Sequence, residues 1–227
     1  MDTPLREKIL QTVIRKSTLK QQVFDHTFAA FNLLKETLFE MASEIDDRLD
    51  GRLDRRVRIE YRDRGKFEAQ LQVANDILIF QMHTDVFEFA PAHAVWQNPY
   101  VASDRTNSYC GVVNIYNFLS DSFKFNRNAD EGYLIGRLFV NRERNYFVEG
   151  KFDSPVRAAD FGRAEIDRDA MTALLEAAVD YALDFDLLLP PYQTLSRVSV
   201  DQFNTKMDNS KFVTGKRLGY EFDVDDI

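Results

Sequence analysis

A single cysteine, Cys110, stands in the whole sequence, which excludes an intramolecular disulfide framework and fits a reducing, cytoplasmic setting. Long apolar runs are missing too. The densest, Ile77-Leu78-Ile79-Phe80 and Leu187-Leu188-Leu189, stop at three or four residues. A membrane-spanning helix requires roughly 18. The opening segment, Met1-Asp2-Thr3-Pro4-Leu5-Arg6, has neither the basic nor the apolar stretch of a secretory signal. Nine glycines and six prolines are scattered without forming a linker, and no internal repeat or biased tract occurs. Gly-x-Ser-x-Gly, Gly-x-Gly-x-x-Gly and P-loop runs are all absent. Nucleophilic serine catalysis and nucleotide hydrolysis by the usual folds are therefore not expected. Basic charge is in deficit: 29 Lys and Arg against 37 Asp and Glu leave a net charge of −8. That argues against a general nucleic-acid or membrane-surface binder.

What is present suffices for an ordinary core. Hydrophobic residues make 44% of the 227 positions and charged residues 29%, which excludes disordered and collagen-like classes. A folded chain of this size buries about 72% of its unfolded surface. Nineteen Phe against one Trp point to interior packing, because Phe brings no polar handle to a wet ligand.

The patterning divides into helices, strands and a further helix. Thr3 before Pro4 reads as an N-cap with proline at the first helical position, for a helix to about Lys16. Thr18-Leu19-Lys20-Gln21 has the form of a capping box and predicts a second start. From there Phe24, Phe28, Phe31, Leu34, Leu38, Met41, Ile45 and Leu49 recur at steps of three and four, with Gly51 as the stop. This is an amphipathic helix of about 28 residues, on the order of 40 Å.

A period of two begins at Val57, where Val57, Ile59 and Tyr61 alternate with Arg58, Glu60 and Arg62. Strands are expected over 67–73, 77–82, 86–89 and 112–119. Two more, over 133–140 and 146–152, form a hairpin around Asn141–Asn145. Residues 90–108 read as a long loop. Asp167 caps a helix whose apolar face runs from Met171 to Leu188 and which Pro190-Pro191 ends. A short helix over 200–207 and a hairpin or edge strand over 212–224 complete the reading. The fold class is α+β: about seven antiparallel strands, meander plus hairpin, packed by a long helix before them and another after. Residues 1–51 form a helical segment packing on the α+β domain of 52–227, one structural unit.

Charge is uneven along the chain. Residues 48–66 hold eight basic and four acidic side chains, a local +4. Glu176, Asp180 and Asp184 stand at i, i+4, i+8 on the late helix, where like charges and the helix dipole both oppose them. Arg52, Arg55, Arg58 and Arg62 are the expected partners of this ridge, within the chain or from a second copy. Trp96, Tyr100, Tyr109 and Tyr116 are the aromatics expected at the mouth of a ligand cavity. His83 and Asp85, with Glu88 or His93, are candidate metal ligands at loose spacing, although no metal is expected on the main reading.

Asp130 is followed nineteen residues later by Glu149-Gly150-Lys151. This resembles the PD-(D/E)xK nuclease signature, in which an acid begins one strand and an acid–x–lysine lies on the next. The resemblance covers about 25 residues, and Ala129 precedes the acid in place of proline. It implies that Asp130 and Glu149 bind Mg²⁺ while Lys151 orients the attacking water on a nucleic-acid substrate. The main expectation is different: a soluble, cytoplasmic binding and assembly module without a cofactor, recognising a protein partner, itself or a small ligand. The Mg²⁺-dependent nuclease is the alternative.

Overall fold

No glycine or proline interrupts the chain between Leu5 and Leu49, and nothing breaks the helix there. In the computed structural model the two expected helices are one, α1 (Pro4–Leu49), 46 residues and about 70 Å long. Thr18 is exposed mid-helix and caps nothing. The structure describes residues 4–184 apart from 50, 53, 55, 56, 129 and 155, together with 192, 199 and 200. Arg55, the Pro190-Pro191 stop and the elements expected over 200–207 and 212–224 lie outside the described residues.

Six strands follow in sequence order across one antiparallel sheet: β1 (Ile59–Asp63), β2 (Glu68–Val73), β3 (Asp76–Met82), β4 (Cys110–Leu119), β5 (Tyr133–Asn141) and β6 (Tyr146–Gly150). The strand expected over 86–89 is a single bridge, Phe87 opposite Cys110, after which Pro91 turns the chain away. The segment expected as a long loop folds into turns of 3₁₀ helix around a short helix, α2 (Pro99–Ser103). Another short helix, α3 (Ser120–Lys124), follows β4, and α4 (Arg168–Leu183) closes the described fold. The Asp167 carboxylate accepts from the Ala170 amide at 2.9 Å and so caps α4 as its sequence requires.

Strand alternation gives the sheet two different faces. Ala69, Leu71, Leu78, Phe80, Val113, Ile115, Leu138 and Val148 form the core with α1 and α4. Against them α1 sets Ala30, Phe31, Leu34, Leu38 and Met41, and α4 sets Met171, Leu174, Leu175 and Ala178. Arg168 at the start of α4 bridges to Glu36 (3.1 Å) and Glu40 (2.6 Å) of α1. Lys35 reaches from α1 to Asp63 (2.8 Å) and to the Gly65 carbonyl, fixing the β1–β2 turn. The opposite face is partly covered. Over its β4–β6 end a second cluster, including Val95, Val101, Val112, Phe139, Phe147 and Phe161, seats the α2 segment. Asn98 holds that segment down, donating to the Ala158, Ala159 and Phe161 carbonyls at 3.0–3.1 Å.

Where α1 crosses β4 the approach depends on glycine. A Cβ on Gly111 would lie 2.2 Å from the Thr27 hydroxyl oxygen, which itself donates to the Val23 carbonyl at 2.7 Å. Gly111→Ala is expected to lower unfolding free energy by about 1–3 kcal/mol through overpacking. Urea denaturation checks this, and a variant as stable as the parent would show that helix and strand do not meet there.

Candidate functional site

Residues directly opposite in the register share a face. Arg62, Gln70, Ile79 and Tyr116 form one such row, and Glu60, Gln72, Ile77 and Phe118 the next. Both rows lie on the side away from α1 and α4, because Tyr61, between Glu60 and Arg62, packs edge-on against Phe39 of α1. At the β1–β3 end of this side lies a cleft of about 650 Å³. Arg58, Arg62, Arg64, Gln70, Gln72 and Asn75 line it, and Ser120, Phe123 and Lys124 of α3 form a wall.

Local chemistry fixes the wall. The Ser120 amide donates to the Asn75 carbonyl at 2.8 Å, and Gln72 Nε2 donates to Ser120 Oγ at 3.0 Å. Two of the arginines, Arg62 and Arg64, are pre-aimed by neighbouring acids. Arg62 grips Glu60 through Nε (3.0 Å) and one terminal nitrogen (2.9 Å), and this bond holds the Glu60 carboxyl below its ordinary range. Arg64 donates to Gln70 Oε1 at 2.7 Å and pairs with Glu68. A guanidinium has five N–H donors, so both keep donors for a ligand. Counting Arg58, Arg62, Arg64 and Lys124 against Glu60, Glu68 and Asp121 gives 4 − 3 = +1. The cleft therefore offers directed hydrogen bonds more than a strong field.

The four expected aromatics do not share a cavity. Trp96 lies under the Arg105 guanidinium (4.9 Å) and donates to the Ala90 carbonyl at 2.9 Å. Tyr109 stands just before β4. Tyr116 lies on the sheet face opposite α1 and α4. Tyr100 is a structural hub: its hydroxyl donates to Glu143 (2.6 Å) and accepts from Asn141 (2.8 Å) and Asn145 (3.3 Å). A Cβ on Gly162 would fall 2.3 Å from the Tyr100 ring.

The nuclease triad is also dispersed. Asp130 is buried before β5, where it accepts from Ser122 Oγ at 2.6 Å and pairs with Arg127 at 2.9 Å. Glu149 sits opposite Arg137, four residues or about 13 Å into β5, whereas Asp130 precedes that strand. There it accepts from Arg137 (3.0 Å) and lies 2.5 Å from His93 Nε2. Because His93 Nδ1 accepts from the Val95 amide, Nε2 carries the proton and donates to Glu149. Two carboxylates so placed do not share one ion. Lys151 is exposed after β6. His83 is taken up by the Asp85 amide, 3.0 Å from its Nδ1, and Glu88 is exposed. Among the described residues no group of three or more His, Cys, Asp or Glu could hold a metal ion.

Among the described residues the expected intrachain pairing of arginines with the acidic ridge is not formed, Arg55 lying outside them. Arg58 and Arg62 face the cleft, while Glu176, Asp180 and Asp184 stand on α4 beyond the other face, so the sheet lies between. Arg52 is exposed just after α1. Arg48 comes nearest the ridge, sharing a groove with Glu176 and Asp180, but pairs with Glu44. Sequence reasoning missed Gln70, Gln72, Asn75, Ser120 and Lys124, which converge only once β1–β3 and α3 are assembled. The alternation in β1 was the available signal, since it put Arg58 and Arg62 on the side away from Ile59 and Tyr61. Comparison with known proteins finds no matching family model, no matching curated protein and no matching solved structure.

Burial, and then the Glu143 carboxylate, push the Tyr100 phenol from an ordinary 10 up to about 12. In the unfolded chain it ionises first, so between these values the folded state holds the extra proton and stability falls as pH rises. Tyr100→Phe should be less stable at neutral pH, by about 0.5–1.5 kcal/mol for a hydrogen bond lost. It should also lose less on going from pH 10 to 12. Denaturant titrations across that range read both effects.

Proposed function

We propose that the protein is a binding module that takes a small anionic ligand, bearing a phosphate or carboxylate group, in the arginine cleft on the sheet face opposite α1 and α4. The observation that carries this reading is the convergence of Arg58, Arg62 and Arg64 with three side-chain amides in one cleft. Planar guanidinium groups match the two-oxygen edge of a carboxylate or phosphate, and amides add directional selection. The volume lies within the range of small-molecule sites. The near-balanced local charge and the overall −8 favour a compact anion over a long polyanion. A cytoplasmic location is part of the proposal. It is supported by the single cysteine, which is free and buried, and by the lack, among the described residues, of any helix long and apolar enough to cross a membrane.

Arg58 is the cleanest probe because it is exposed at the rim of the cleft. Its replacement by alanine is expected to change stability by less than about 0.5 kcal/mol. Isothermal titration with pyrophosphate, citrate and a nucleoside monophosphate should give saturable binding to the parent for at least one of them. Arg58→Ala should weaken that binding about tenfold, the size of one charge-assisted hydrogen bond. Absence of binding by the whole set at millimolar ligand would sink the proposal. So would affinity unchanged in an Arg58→Ala, Lys124→Ala double variant.

A further inference from the structure

Among the described residues no element packs its side chains against the N-terminal part of α1. Every residue from Pro4 to Thr18 is exposed, whereas burial begins at Leu19 and Val23. Yet this stretch is not polar on all sides. Leu5, Ile9, Leu10, Val13 and Ile14 are each more than half exposed. Leu5, Ile9 and Val13 lie eighteen residues, five full turns, before Val23, Thr27 and Phe31, so they occupy the side of the helix that elsewhere meets the core. Together these side chains expose on the order of 500 Å² of mainly apolar surface, at the upper end of what a soluble monomer leaves uncovered. A helical stretch this short is also marginal by itself in water.

Its charge narrows what covers it. Residues 4–20 carry Arg6, Lys8, Arg15, Lys16 and Lys20 against Glu7 alone, 5 − 1 = +4, within a chain of net −8. An identical arm laid alongside would bring like charges together. Among the described residues a complementary surface lies at the other end of the same helix. Between α1 and α4 runs a groove of about 590 Å³ with an apolar floor that includes Ile45, Ala177 and Leu183. Glu44, Glu176 and Asp180 rim it, with Arg48 the basic side chain among its lining. Neither Glu176 nor Asp180 makes an ion pair among the described residues, and α4 has no basic residue in its last turn. Leu183 is half exposed.

The arm of one molecule does not reach its own groove. Leu10 and Ile45 lie on one unbroken helix, about 50 Å apart at 1.5 Å per residue. We propose that the basic, apolar arm of α1 docks into the acidic, apolar groove between α1 and α4 of a second copy of this chain. Two copies exchange arms reciprocally, which closes the assembly as a dimer. Binding joins burial of the aliphatic stripe to pairing of Arg15, Lys16 and Lys20 with the groove rim. It does not involve the arginine cleft.

The test is the mass in solution of the full chain, by light scattering over a concentration series at low and high salt. Dimer mass is expected, weakening as salt screens the rim pairs. Val13→Asp, and separately the reversal Arg15→Glu with Lys16→Glu, should each raise the dimer dissociation constant about tenfold or more. Neither touches a buried residue, so both should keep the parent's helical signal. Glu176→Lys with Asp180→Lys should weaken the dimer likewise, and mixing this groove variant with the Arg15→Glu, Lys16→Glu variant should restore a heterodimer. A monomer at every concentration would overturn the proposal. So would a dimer indifferent to both reversals, or an arm protected from proteolysis equally at all concentrations, which would place its cover within one chain.

Discussion

The fold is governed by a mismatch of lengths. Six strands at about 4.8 Å spacing span about 24 Å across the sheet, and the longest, β4, has ten residues. The α1 helix is about 70 Å long. No placement of that rod on that sheet buries it throughout. Its contact is made over the span from Leu19 to Ala42, where buried residues recur at helical spacing and Gly111 lets the helix approach. Both ends must then be covered by something else. At the far end α4 supplies a partner, fixed by Arg168 on Glu36 and Glu40. At the near end no described element does. The exposed stripe is thus a geometric consequence of keeping 46 residues in one helix.

The same helix sets the difference between the two sheet faces. Because α1 and α4 occupy one side, the polar alternants of β1 and β2 are turned to the other, where the α2 segment, the stretch around Phe161 and α3 give partial cover among the described residues. The ion pairs that position Arg62 and Arg64 are exposed or half-buried, and each contributes little to stability. Their effect is orientation: a guanidinium already held by a neighbouring carboxylate loses less freedom when it meets a ligand.

Much of this architecture was legible because local signals agreed. Pro4 at the helix start, Asp167 at the start of α4, and the alternation of Ile59 and Tyr61 with Glu60 and Arg62 act over a few residues, and tertiary packing reinforces them. The failures came where a local motif had no tertiary support. The Thr18 capping box needs a chain break before it to act as a cap, and none exists in a stretch free of glycine and proline. Val86–Phe89 has strand-like composition, yet a strand requires a continuous neighbour, and the chain leaves β4 after one bridge. Asp130 and Glu149 match a signature by spacing, but Glu149 pairs four residues into β5 whereas Asp130 precedes that strand, each with its own cationic partner. Of the cleft, only the shared side of Arg58 and Arg62 was legible. Its residues come from β1, β2, the β2–β3 turn and α3, a convergence set by register.

The position of charge on α1 bears on which surfaces are suited to cover the arm. A polar arm would gain nothing from a partner, and an apolar one without charge would associate with any exposed apolar surface. Joining an aliphatic stripe to a +4 segment restricts the acceptable surfaces to those that are both apolar and acidic. Within the described fold that combination occurs where the ridge on α4 borders α1. The cost of that ridge, carboxylates one turn apart with no basic residue near the helix end, falls when an incoming cation neutralises them. In the proposed dimer an unfavourable arrangement of the isolated chain would thereby become a favourable term for association. Since arm and groove sit at opposite ends of one continuous helix, the proposed dimer would have each copy supply both halves, with antiparallel helices bringing the two contacts into register together.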